Sequence, residues 1–270
     1  MNAVPPIVSV KSADRAMAVV ELVAAQGSVS FTEILTALGL PRSSAHGLLS
    51  TLHLAGWLDH DASTRQYSLG LRAWQVGQMY TGHRDLANAA KPVMDRLASG
   101  LGETVQLARL DGVENVYIAI SQHSGSMLLG SSVGMRLLAH ATGIGKALLS
   151  NLDPAEAERR LRTVALPRLT DKTVTEVPLL LGRIAEAKAR GYALDDEEYL
   201  DGCRCVAVPL TSATGGINTA ISVTMPSSRT GEQWPLDVLR PLAAAAQEIR
   251  ARLGARETGI ALPQLGSSLA

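Results

Sequence analysis

Gly130-Ser131-Ser132-Val133-Gly134 spells G-x-S-x-G, the pattern in which hydrolases expose a serine nucleophile on a sharp strand-to-helix turn. Val133 to Leu138 offers no helix start, and no histidine follows His140, so a hydrolase built on this serine turn stands as the second reading. Gly143-Ile144-Gly145-Lys146 has the look of a phosphate loop, but His140 sits where the first glycine is needed and Ala147 where Ser or Thr should hold magnesium. What remains is a glycine-rich helix start with Thr142 as N-cap. Either its free amides receive a carboxylate or its glycines let helix pack closely on sheet. Cys203 and Cys205 alternate on one face of a strand start, as pocket lining or core; Cys-x-Cys alone is no zinc site. We expect no metal and no cofactor. Asp195-Asp196-Glu197-Glu198 is an acidic run of the kind that forms a solvated loop, with room for one member to face inward. Ser222 and Thr224 put two hydroxyls on one face of an apolar strand. Such hydroxyls need partners, either a polar ligand or neighbouring backbone.

A different chemistry is offered between Ser30 and Leu69. Ser30 and Glu33 form a capping box, Ile34, Leu35 and Leu38 give one apolar stripe, and Gly39 stops the helix. Pro41 opens a second helix in which Ala45, Leu48, Leu49 and Leu52 share a face. The opposite face carries Arg42, Ser43, Ser44, His46, Gly47 and Ser50, short and polar with one cation at its start. A helix of that kind enters a DNA major groove. Gly56 to Leu69, with a polar turn at Asp61 to Thr64 and Arg65 after it, reads as a hairpin or wing beside the helix pair.

The elements that must position these groups fall into two parts. Ser12 as N-cap, the stripe Ala16, Val19, Val20 and Val23, and a stop at Gly27 predict a first helix. Residues 1–70 therefore form a winged helix-turn-helix, and residues 71–84 a linker helix, with Leu71 to Tyr80 helical. Residues 85–255 read as an α+β domain with a mostly antiparallel sheet flanked by helices. Its elements are a helix at Leu86 to Ser99, strands at Thr104 to Arg109 and Val113 to Ser121 around Asp111-Gly112, and a further strand at Met127 to Ser131. Helices at Thr142 to Asn151, Asp153 to Thr163 and Glu176 to Arg190 follow. Strands at Cys205 to Leu210 and Ile217 to Thr224 flank a Ser-Ala-Thr-Gly-Gly turn, and a helix spans Pro235 to Leu253. Residues 256–270, rich in Gly, Pro and Ser, read as a flexible tail.

Composition sets the outer limits. The chain has 270 residues, 46% of them hydrophobic, enough for two ordinary cores. No run of about 18 apolar residues suggests a membrane span, and two cysteines do not make a disulfide framework, so we expect a cytoplasmic protein with no membrane association. Net charge is zero overall, and residues 1–80 carry five cations against five carboxylates. DNA affinity draws on phosphate neutralisation, so a neutral domain needs its cations on one face, help from helix N-termini, or several copies per assembly.

Leu38-Gly-Leu-Pro-Arg-Ser-Ser-Ala-His-Gly-Leu-Leu, Tyr67-Ser-Leu-Gly, and His140-Ala-Thr-Gly-Ile-Gly-Lys-Ala-Leu-Leu together resemble the IclR family of bacterial transcription regulators. So do Gly191-Tyr-Ala-Leu-Asp-Asp-Glu-Glu-Tyr, Gly202-Cys-Arg-Cys-Val-Ala-Val-Pro and Ala220-Ile-Ser-Val, in the expected order over residues 10–253. The resemblance implies a GAF-like effector domain after the linker helix, and a homodimer through the N-terminal domains, often a homotetramer. It implies double-stranded operator DNA and a small organic acid, in some members an aromatic one, as partners. It places the pocket at Gly143, Ile144, Asp195, Cys203, Cys205, Ser222 and Thr224, with apolar lining from Met127 and Leu129 and with Thr142 at the helix start. Two positions differ from the family pattern. Gly47 stands where arginine is frequent, which removes a cation from the DNA face, and Gly143 stands where alanine is common, which implies a larger pocket.

Overall fold

The computed structural model describes residues 10–79, 84–124, 126, 130–210 and 218–253. The chain forms two compact units, Met1–Gly82 and His83–Ala270.

In the first unit, α1 (Lys11–Gln26), α2 (Phe31–Leu38) and α3 (Arg42–Leu54) bury Val19, Val23, Ile34, Ala45, Leu49 and Leu52 in one core. Ser12 is not the cap of α1. The amides of Ala13 and Asp14 both reach the Val10 carbonyl, at 2.8 and 3.1 Å, so Val10 is the N-cap, two residues earlier, with no side-chain cap. The capping box of α2 is complete: the Ser30 amide donates to Glu33 Oε2 at 2.7 Å, and the Glu33 amide donates to Ser30 Oγ at 3.3 Å. Gly39 ends α2 in the left-handed conformation, where a side chain would be strained. Pro41 is the N-cap of α3, its carbonyl accepting from the Ala45 amide at 3.0 Å. The wing is β2 (Leu58–Asp61) and β3 (Gln66–Leu69). It gains a third strand, β1 (Ser28–Ser30), that pairs antiparallel with β3. Three residues between two helices carry too little pattern to be read as a strand. α4 (Leu71–Met79) follows the wing.

Among its described residues, the second unit has a six-stranded sheet ordered β6-β5-β4-β9-β8-β7, every pair antiparallel. The strands are β4 (Thr104–Asp111), β5 (Glu114–Ser121), β6 (Arg136–Leu138), β7 (Ala193–Asp196), β8 (Cys203–Pro209) and β9 (Thr219–Pro226). One face packs on α5 (Arg84–Leu101) and α9 (Leu236–Arg252) through Met94, Leu107, Val206, Ile221, Val223 and Leu242. The other face packs on α6 (Gly143–Leu149), α7 (Pro154–Leu161) and α8 (Val177–Arg190) through Ala108, Leu148, Leu161, Leu180 and Ala220. Thr142 caps α6 by accepting from the Gly145 amide at 3.0 Å, and Asp153 caps α7 by accepting from the Ala155 amide at 2.9 Å.

Three expectations need revision. The loop of the β4–β5 hairpin is Gly112-Val113, because Asp111 still pairs with Glu114. The acidic run Asp195 to Glu198 is not all loop: Asp195 and Asp196 end the edge strand Ala193–Asp196, where Asp195 pairs with Cys205 and is the member that is buried. Gly130 and Ser131 are not in a strand, while residues 127–129 and the turn at 211–217 lie outside the described residues. Residues 256–270 do so as well. Among the described residues no helix is long and apolar enough to cross a membrane.

Candidate effector pocket and nucleic-acid interface

Register explains how residues far apart in sequence meet. Asp195 on β7 pairs with Cys205 on β8, Cys205 with Thr224 on β9, and Thr224 with Thr104 on β4. The next row on the same face is Ala207, Ser222, Gln106 and Ile120. Period two along each strand puts both rows on the α6 side. On β5 the alternation breaks. Leu107 pairs with Ala119 but Ala108 with Tyr117, leaving Ile118 as the extra residue of a β-bulge. Ala119 therefore joins the α5–α9 core while Tyr117, two residues away, faces α6.

These rows floor a cavity of about 50 Å³. At 10–15 Å³ per water it has room for about four waters, the size of a compact organic molecule. Its lining is Gln106, Tyr117, Ser131, Met135, Leu137, Thr142, Ile144, Asp195, Tyr199, Leu200, Cys203, Cys205 and Thr224. Of the residues singled out from sequence, Thr142, Ile144, Asp195, Cys203, Cys205 and Thr224 come together here. Ser222 lies beneath the lining, its Oγ donating to Gln106 Oε1 at 3.0 Å. Gly143 does not line the cavity either. A Cβ there would stand 3.1 Å from Cys205 Sγ and 3.2 Å from the Asp195 amide nitrogen. Its small size serves contact between α6 and the β7–β8 edge rather than a larger pocket. Gly145 is tighter still, since a Cβ would fall 2.3 Å from Ala139 Cα. Close packing is thus the visible role of both glycines. Met127 and Leu129 lie outside the described residues.

Sequence reasoning missed Gln106, Tyr117 and Tyr199. The signal for Gln106 was present in Thr104 and Gln106, two polar residues at alternate positions of an apolar strand. For Tyr117 there was none, because the bulge overrides periodicity.

The electrostatics of the cavity are those of a dry carboxyl facing neutral groups. Burial pushes the Asp195 carboxyl up to about 7, opposed by nearby Lys146 and by the amide of Glu198. Asp195 Oδ1 accepts from the amides of Glu198 at 2.7 Å and Tyr199 at 3.3 Å, which folds the β7–β8 connection over the cavity. Burial raises the Cys203 thiol to about 12 and the Cys205 thiol to about 11, so both are unreactive thiols near neutral pH. Desolvation likewise raises the Tyr117 and Tyr199 hydroxyls. Behind the cavity Lys146 Nζ on α6 pairs with Glu198 Oε1, the two side chains only 3% and 13% exposed. Thr170 and Thr173 hold the same segment, their hydroxyls donating to the carbonyls of Glu197 at 2.7 Å and Glu198 at 2.6 Å.

The serine turn does not form a nucleophile elbow. Gly130 and Gly134 have φ of +63° and +88°, and the next regular element is the strand β6, not a helix. Ser132 is exposed, and His140 Nε2 is engaged with the Pro167 carbonyl at 3.0 Å.

In the first unit Arg42, Ser43, Ser44, His46, Gly47 and Ser50 are all exposed on α3, and Arg65 is exposed on the wing. The Arg42 guanidinium lies 5.6 Å from the Phe31 ring centroid, and the His46 ring meets the same ring edge-on at 6.3 Å. Phe31 thereby orders two of the polar side chains from the first residue of α2. The wing turn is held by Asp61 Oδ1, which accepts from the Ser63 amide at 2.8 Å and its hydroxyl at 2.6 Å. The Ser63 hydroxyl, with the two turn amides, keeps the Asp61 carboxyl down at about 2.

Known proteins share both halves. The IclR helix-turn-helix domain matches residues 12–62, and the bacterial transcriptional regulator IclR C-terminal domain matches residues 78–251. The HTH-type transcriptional regulator BhcR of Paracoccus denitrificans is 33% identical over 220 residues, covering 82% of this chain and 79% of that protein. The HTH-type transcriptional repressor AllR of Escherichia coli is 33% identical over 228 residues, 84% of each chain. An IclR homologue from Microbacterium hydrocarbonoxydans, solved with 4-hydroxybenzoate, superposes with a TM-score of 0.79 at 27% identity, covering 91% of this chain and all of that one. The hydrolase reading is overturned by this kinship as well as by the serine turn. With both an IclR helix-turn-helix domain and an IclR C-terminal domain matched, the chain belongs to the IclR family of bacterial transcriptional regulators, and it is not an enzyme.

Proposed function

We propose that the regulator binds double-stranded operator DNA through α3 and the wing, and that a small organic acid in the cavity of the second unit modulates that binding. The observation that carries the effector half is a polar-floored cavity set inside an otherwise apolar core. Natural cores leave few such spaces, and those that persist with convergent polar groups bind ligands. The homologue with 4-hydroxybenzoate supports an acid as the class. Arg42, Ser43, Ser44, His46 and Ser50 supply base and phosphate contacts, and Arg65 a phosphate contact from the wing. We also propose a homodimer. α4 buries no residue and exposes Leu71, Trp74, Val76 and Met79 at 50–79%. A helix so apolar and so uncovered suits a second copy. A pair of neutral domains also gains the phosphate contacts that one lacks. Such a regulator works in the cytoplasm, where its operators lie.

A gel shift on the chain's own upstream DNA tests the reading. Arg42→Ala should weaken binding several-fold and lower the salt slope by about one, with the fold intact. Unchanged affinity would overturn the assignment of α3. Addition of 4-hydroxybenzoate or pyruvate should change the wild-type shift; no change with any small acid would overturn the effector half.

A further inference from the structure

One amide in the cavity floor has only half its bonds. Gln106 is fully buried on β4. Its Oε1 accepts from Ser222 Oγ and from Thr224 Oγ1, each at 3.0 Å. Both donors come from β9, where Ser222 is the register partner of Gln106 and Thr224 follows on the same face. In this orientation the oxygen end of the amide faces the two hydroxyls. The other end, Nε2, is buried and has no hydrogen-bond partner. Gln106 lines the cavity. A buried donor left unmade is costly, and native structures keep few without a reason.

The remainder of the lining says what the missing partner is. No Lys, Arg or His is among the described lining residues, so an oxyanion that enters finds no fixed cation among them. Cys203 and Cys205 are weak donors. Asp195 already uses Oδ1 to accept two amides. Gln106 Nε2, with two N–H groups and no acceptor, is a fully buried side-chain donor among the described lining residues left without a bond, and the Tyr117 hydroxyl is a second donor in the same lining.

We propose that Gln106 is the specificity-determining residue of the effector pocket, its Nε2 donating to an oxygen of the bound acid, while Ser222 and Thr224 position that amide. This rests on the acid-effector reading above and assigns Ser222 a place one bond away from the ligand.

Gln106→Glu is the discriminating variant. It keeps shape and the oxygen that accepts from the two hydroxyls, but replaces the donor with a negative oxygen. Gln106→Met removes the donor without adding charge and serves if the first variant fails to fold. Calorimetry on the full chain with pyruvate, glyoxylate and 4-hydroxybenzoate, folding checked by circular dichroism, gives the affinities. Any of these acids that binds wild type should lose at least 30-fold in Gln106→Glu and about 10-fold in Gln106→Met, against 2- to 5-fold in Ser222→Ala. The Gln106 side-chain amide resonances, identified by their disappearance in Gln106→Met, should move when that acid is titrated into wild type. Equal affinity in wild type and a folded Gln106 variant, or amide resonances that stay in place while the acid binds, would overturn the role of Gln106 and leave the acid reading standing. Binding of none of the three acids to wild type would overturn the acid reading, and the role of Gln106 with it.

Discussion

The polar face of α3 and the polar floor of the cavity are built from similar side chains under opposite solvation. On α3, Ser43, Ser44 and Ser50 stand in water beside Arg42 and His46. At the cavity floor Ser222, Thr224 and Gln106 are buried, and both hydroxyls bond to the Gln106 amide. An exposed hydroxyl exchanges protein for water at little cost, so the α3 face is free to be chosen for what it touches. A buried one must be satisfied by the fold or by a ligand. The first surface can vary without endangering its scaffold, while the second is both scaffold and site.

The sharpest test of that contrast is the buried ion pair. Glu198→Ala leaves Lys146 charged and unpaired beneath α6, and should cost roughly 3–5 kcal/mol. That is a fall in Tm of about 10 °C for a unit of this size, read by calorimetry. The double change Lys146→Met with Glu198→Leu should recover most of it. If Glu198→Ala melts like wild type, the pair is not structural and the contrast fails.

Asp195 gives a smaller effect with a defined direction in pH. Its native pKa of about 7 lies above the ordinary aspartate value of about 3.9, so the native state holds a proton that the unfolded chain releases. The stability linked to that proton is whole below about pH 4 and is lost as pH rises through 7. Asp195→Asn, which keeps the oxygen that accepts from Glu198 and Tyr199, should lose this dependence. Its stability relative to wild type should rise by roughly 2–4 kcal/mol between pH 4 and pH 8. Parallel denaturant titrations across that range would show it, and parallel curves for the two proteins would refute the buried, proton-holding Asp195.

The smallest effects belong to α3. Ser50→Ala should change stability by no more than about 0.5 kcal/mol. Gly47 has nothing within 4 Å of where a Cβ would sit, so Gly47→Arg fits without a clash. It should stabilise the helix by up to about 1 kcal/mol. It should also tighten operator binding and steepen its salt dependence by about one. A loss of DNA binding in this variant would mean that α3 faces the groove by another side.

What could be read from sequence follows the same division. The capping box at Ser30, the stop at Gly39 and the stripe of α3 are local signals, resolved within one or two turns of chain. So are the N-caps Thr142 and Asp153. The cavity is a product of register, and register is not local. Gln106 and Ser222 are 116 residues apart and meet only because β4 and β9 are neighbours. The acidic run left open which of its four members faces inward, because the burial of Asp195 comes from α6 laid over β7, packing that the run itself does not encode. Tyr117 was hidden by a single extra residue in β5. The resemblance to a family implied several pocket positions that spacing could not; of these, Gly143 packs against Cys205 and Ser222 bonds to Gln106 rather than lining the cavity.

The two outermost strands of the large sheet, β6 with three residues and β7 with four, are its shortest. β4, β5, β8 and β9 run to seven or eight residues. An incoming chain that tried to extend the sheet would find only a few backbone groups to pair with on either side. It would also meet the exposed charges of Arg136 and Asp196. Short, charged margins of this kind are how sheet proteins avoid growing into one another. The lengths of two strands thus give the sheet its own guard against aggregation.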